Sequence, residues 1–141
     1  MRLPTGGHRE GGQALVEFSL GIIVFLVMLM GLVDLGRGVY MYNGVSQAAR
    51  EIARATSVHP GSPLGASTEA LDVLATQKHL VPDLGDPTFS CVDIDGSSIT
   101  GTCQAGQWVR VSIAASYRPM TPLVGIVGPI SMQSASSIQI P

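Results

Sequence analysis

From Ala14 to Val33 the chain carries twenty residues with a single ionisable group, Glu17. Twenty helical residues rise about 30 Å, which is the thickness of a bilayer hydrocarbon core. A stretch of this kind has to be covered by lipid or by other apolar helices, so it limits what the rest of the chain can become. A carboxylate at the centre of a membrane helix costs about 2.5–3.5 kcal/mol on insertion scales, so a glutamate here needs a reason. The uncharged part after Glu17 spans roughly 24 Å, which puts Glu17 about one turn inside the boundary. At the far end Asp34 and Arg37 are three apart, can pair on one helix face and mark the other interface. A cleaved secretory signal is the competing reading. Arg2 and Arg9 suit its basic start, but the run exceeds an h-region of about 7–15 residues and no small-x-small site follows.

The helical pattern continues past the apolar run. Met41, Val45, Ala48, Ala49 and Ile52 recur at helical spacing, with Asn43, Gln47, Arg50, Glu51 and Arg54 on the opposite face. His59-Pro60-Gly61 ends it. A single helix from about Gln13 to Ser57 would be roughly 65 Å long. Gly31, Gly36, Gly38 and Gly44 weaken its middle and allow a bend.

The remainder is rich in Ser, Thr, Gly and Pro and has room for a small core only. Ser67 or Thr68 caps a short helix through about Lys78, with Leu71, Leu74 and Ala75 on one face. Phe89 to Ile94 reads as a strand, and Asp95-Gly96 as a turn. Val109, Val111, Ile113, Ala115 and Tyr117 alternate along a second strand. Ile130, Met132, Ser134, Ser136 and Ile138 alternate along a third, with Pro119 to Pro129 as the loop between these two. The expected fold class is α+β: a long N-terminal helix, transmembrane and then amphipathic, packed on a small, mainly antiparallel three-stranded sheet. The domain reading is 1–12, 13–57 and 58–141: an N-terminal leader, the helix and a small head.

Cys91 and Cys103 are the only cysteines and bracket a polar loop. A disulfide there would contribute about 3 kcal/mol; two buried free thiols are the alternative. The paired count and the loop setting favour the disulfide, which places the C-terminal part outside the cytoplasm. The charges flanking the apolar run do not settle its orientation by themselves.

Other chemistry is thinly represented. Net charge is −2 and Lys78 is the only lysine, so there is no electrostatic footprint for nucleic acid. His8, His59 and His79 lie in separate segments with no ligand spacing, and Asp93 with Asp95 only loosely suggests calcium. Gly36-x-Gly38 lacks the third glycine and the preceding strand of a nucleotide fingerprint. No nucleophile–base arrangement can be defended, so the expectation is a protein that is not an enzyme and needs no cofactor or metal.

Three blocks together resemble the TadE-like family, pseudopilin-like proteins of the Tad (tight adherence, Flp-type) pilus system. They are Gly12-Gln13-Ala14-Leu15-Val16-Glu17-Phe18, Gly31-Leu32-Val33-Asp34-Leu35-Gly36-Arg37 and Ala48-Ala49-Arg50-Glu51-Ile52-Ala53-Arg54. Such sequences often carry a proline a few residues after the glutamate, where this chain has Ile22, Ile23 and Val24. The resemblance implies a pilin-like fold and a leader, Met1–Gly12, that stays in the cytoplasm. A prepilin peptidase would cut between Gly12 and Gln13. The mature chain would stay in the membrane as a single-pass protein with its head outside, or join other pilin or pseudopilin subunits as a minor component.

Cleavage would give Gln13 an α-amino group, largely cationic at neutral pH. In apolar surroundings this ammonium and the Glu17 carboxylate offset each other's desolvation, within one helix or between staggered neighbours. Between neighbours the pair would fix axial register. The plainer alternative is that Glu17 snorkels to the headgroups without a partner. At the level of the whole protein, the rival to a pilus component is a signal-anchored extracellular binding module, such as an adhesin or sensor head.

Overall fold

The computed structural model describes residues 9–99, 103–121 and 128–141. Helix α1 (Arg9–Val58) is continuous. Helix α2 (Thr68–Leu80) follows, then strands β1 (Thr88–Val92), β2 (Ser98–Ile99), β3 (Trp108–Tyr117) and β4 (Ile130–Gln139). The sheet is antiparallel, with order β2-β1-β3-β4. It therefore has four strands where the sequence predicts three. The additional strand is two residues long, too short for an alternating pattern. It exists because the turn after β1 folds back, pairing Cys91 with Ile99 and Val92 with Ser98.

That turn is held by its own side chains. Gly96 N donates to Asp93 O at 2.9 Å and Asp93 N to Ser97 O at 2.9 Å. The Asp95 carboxylate accepts from Ser97 N at 3.0 Å and Ser97 Oγ at 2.7 Å. These bonds to Ser97 hold the Asp95 carboxyl below its ordinary range. The disulfide joins Cys91 to Cys103 across a separation of 12 residues, with Cα atoms 5.4 Å apart. Both cysteines are buried, so the crosslink ties the hairpin into the core.

β3 is the central strand, and its alternation matches the sequence expectation: Val109, Val111, Ile113, Ala115 and Tyr117 are buried. They face the inner stripe of α1, where Met41, Val45, Ala48, Ala49, Ile52 and Ala53 are buried. Alanines on the stripe let helix and sheet approach closely, and β-branched side chains on the strand fill the space between them. β4 flanks β3 over all ten residue pairs. Its face with Met132, Ser134, Ser136 and Ile138 is half-buried against the helix.

Two expectations are corrected. The glycines do not interrupt α1, which is helical from Arg9 to Val58. Gly44 instead provides clearance, since a Cβ there would lie 2.9 Å from Val81 Cγ2. The inward face of α2 is Ala70, Val73 and Leu74, while Leu71 is 51% exposed and Ala75 is also exposed. The Ser67 cap, accepting from Ala70 N at 3.2 Å, fixes where the helix begins, and small Ala70 is the residue turned inward.

Gly65 is required twice over: its φ is +82°, and an added Cβ would come within 3 Å of three Phe89 ring carbons. Gly65→Ala is expected to destabilise the head by about 1–3 kcal/mol through backbone strain and displacement of that ring. Chemical denaturation of the detergent-extracted protein, followed by circular dichroism, checks it.

Candidate functional site

The half of α1 that precedes the sheet touches no other part of the described chain. Every side chain from Gly12 to Met30 is exposed, including Phe18 at 68% and Met28 at 71%. Soluble monomers rarely leave so long an apolar surface uncovered. By length and composition α1 is the one candidate membrane span among the described residues. Gly12 and Gln13 lie at the start of this exposed stretch, inside the helix. Glu17 is four residues beyond Gln13, is exposed, and has no hydrogen-bond or ion-pair partner among the described residues.

The boundary of this bare segment is a polar clamp centred on Asp34. Unlike the surface beside it, Asp34 is only 7% exposed. Met120 N donates to Oδ1 and Oδ2, both at 3.1 Å. Thr121 donates to Oδ2 twice, from N at 2.8 Å and from Oγ1 at 2.6 Å. The Tyr117 hydroxyl bonds to the Asp34 main-chain carbonyl at 2.8 Å and reaches Oδ1 at 3.3 Å. One helix residue thus binds the end of β3 and the start of the chain that leads to β4.

Charge and burial act together here. Bonds from the Thr121 hydroxyl and then from the Met120 and Thr121 amides lower the Asp34 carboxyl from 3.8 to about 2. The Tyr117 phenol is raised, first by its burial and then by the neighbouring carboxylate. Arg37 Nη1 stands 3.7 Å from Asp34 Oδ1, and its guanidinium carbon is 5.9 Å from the Tyr117 ring centre.

Asp34 and Arg37 are in ion-pair range, as their spacing predicts, but the shorter contacts of the carboxylate all go to the head. Tyr117 was placed correctly on the inner face of β3, while its link to Asp34, and the part played by Thr121, were missed. A signal was present: Asp34 lies on the line of Gly38, Met41, Val45, Ala48 and Ile52, spaced alternately four and three apart, so it belongs to the packed stripe.

Asp93 and Asp95 are used in the hairpin turn, and Lys78 Nζ is 2.6 Å from Asp86 Oδ1. Among the described residues no three His, Cys, Asp or Glu gather as a metal set.

The architecture so described is an α+β fold with a helix bare and apolar over one half and packed on a small antiparallel sheet over the other, consistent with a single-pass membrane protein. Residues 12–54 match the model of the TadE-like protein family. The match begins at the start of the bare segment and ends within the packed stripe of α1, so it covers the helix and none of the sheet. Together with the apolar helix it fits a component of a Tad pilus system. No curated protein and no solved structure matches the chain.

Asp34→Asn is expected to lower the thermal midpoint at pH 7 by several degrees, because an amide cannot accept from all the donors that the carboxylate serves. The folded carboxyl titrates below its ordinary value of 3.8, so the charge stabilises the fold fully above about pH 4 and ceases to do so by about pH 2. The gap between wild type and Asp34→Asn therefore narrows as pH falls through that window. Melting curves from pH 7 to below pH 2.5 read it directly, and a gap independent of pH would refute the clamp's ionic character.

Proposed function

We propose that this protein is a minor pilin or pseudopilin of a Tad (Flp-type) pilus system, a structural subunit and not an enzyme. The observation that carries the reading is the bare apolar half of α1, joined without a break to a packed head. Lipid covers such a surface before assembly, and the helices of neighbouring subunits can replace the lipid afterwards. The family match over residues 12–54 supports the pilus assignment, and the minor-subunit role is part of the proposal. The pilin-like character of the fold belongs to the same reading.

In this scheme the leader, residues 1–12, stays in the cytoplasm and a prepilin peptidase cuts after Gly12. The head lies outside the cytoplasm, in keeping with its disulfide. The freed ammonium of Gln13 then pairs with Glu17, within the helix or across to a neighbour, and sets register in the packed bundle. Polar side chains of the head and of the helix beside it support the non-enzymatic reading by being committed to structure: Asp34 of α1 to the clamp, Asp95 to its turn, Lys78 to Asp86.

The test is the N-terminus and intact mass of the membrane-extracted protein, produced with and without a matching prepilin peptidase. A chain starting at Gln13 only in the presence of the peptidase is the expected result. A chain still starting at Met1 beside a competent peptidase favours the rival, a permanently anchored surface-binding module. Glu17→Ala is expected to insert in the membrane and yet drop out of the sheared pilus fraction. Normal incorporation of that variant would rule out the register pair.

A further inference from the structure

The clamp fixes more than the fold. Asp34 directly follows Val33, the last residue of the apolar run, and holds the backbone at Met120 and Thr121 at that height. The lower end of the sheet is therefore level with the end of the span. Beside the clamp lies a groove of about 470 Å³ between α1 and the head. Leu35 forms one wall, and Pro119, Ile130 and Met132 the other, with Gly31 and Gly38 along the helix side. Gly31 lies within the apolar run, about 4.5 Å to the membrane side of Asp34, so the groove crosses the boundary. A Cβ at Gly31 would meet nothing within 4 Å. The apolar rim is open: Leu35 is 65% exposed and Ile130 40%, and Met120, next in the chain to the wall residue Pro119, is 74% exposed.

Building on the reading of Ala14–Val33 as a membrane span, we propose that this groove takes the upper part of a phospholipid acyl chain and so seats the head on the bilayer. Two observations select lipid as the occupant. The groove is continuous with the bare apolar surface of α1, and the clamp holds it at the height where acyl chains begin. The surrounding side chains suit the polar side of that boundary. Arg37 is half-exposed at the same height, on the far side of Asp34 from the groove, and most of its guanidinium donors are not engaged by Asp34, leaving them for a headgroup phosphate. Tyr40 and Tyr42 are exposed one to two turns further along, within the range of headgroup-level aromatic residues. The head is thus a membrane-surface module whose orientation is set by a lipid contact, as well as by its helix.

Tryptophan quenching in phosphatidylcholine vesicles tests this with the full chain. Trp108 is the only tryptophan and lies at the opposite end of β3 from Tyr117, so Trp108→Phe supplies the background. If that background fails to fold, Trp108 is retained as a constant signal. Into it go Ile130→Trp on the groove wall, Met120→Trp next to the wall residue Pro119, Val24→Trp in the span and Ile94→Trp at the hairpin turn. Lipid brominated near the top of one acyl chain is the quencher. Ile130→Trp and Met120→Trp are expected to lose most of their emission, as Val24→Trp does, while Ile94→Trp keeps its own. Quenching of Val24→Trp without quenching at positions 130 and 120 would overturn the proposal and leave the span intact. No quenching at position 24 would remove the span and the proposal together. Emission at position 130 shielded from bromine, and changing with the protein-to-lipid ratio, would mean that a second copy fills the groove and would also overturn it.

Discussion

One helix has to satisfy two surroundings, and the fold follows from how it divides them. From Ala14 to Val33 the side chains of α1 are apolar on every side, Glu17 and Ser19 apart, which suits lipid or a bundle of like helices. Over its second half only a stripe is apolar, and that stripe is covered by β3, β4 and the end of α2. The change occurs within a few residues of Asp34. Because a buried carboxylate is costly unless its oxygens are bonded, the head has to supply donors there, and Tyr117, Met120 and Thr121 do so. The polar clamp and the apolar stripe are thus successive parts of one contact surface.

Much of this was legible from periodicity. Residues spaced three and four apart located the inner face of α1, and strict alternation located the inner face of β3. Both patterns are long enough for tertiary packing to confirm rather than override. The paired cysteines around a polar loop indicated a crosslink, and the structure has it. Short elements were less legible. β2 has two residues and arises from the turn before it, while α2 turns Ala70, Val73 and Leu74 inward and leaves Leu71 outside.

The site was hidden for a different reason. An acid three residues before an arginine at the end of a membrane run looks like a surface pair, and the ion-pair distance is indeed present at 3.7 Å. What sequence spacing could not supply was the return of a chain 86 residues later to the same height. Gly44 was obscured similarly: in sequence it looks like a weak point in a helix, whereas in space it is where Val81 needs room. Contacts of this long range depend on which surfaces the fold brings together.

The continuity of α1 has a geometric consequence. Because the helix runs unbroken from the span through the clamp, the head is geared to the helix that carries it. Each residue along α1 corresponds to about 100° of turn and 1.5 Å of rise. Lengthening the chain by one residue between the apolar run and Asp34 would swing the sheet through more than a quarter circle about the membrane normal, with hardly any change in height. The azimuth of every exposed feature of the head, including the β4 edge and the hairpin, is therefore written in the residue count of the helix. For a subunit whose neighbours meet it through that same helix, the phase of the head relative to the bundle is fixed before assembly begins.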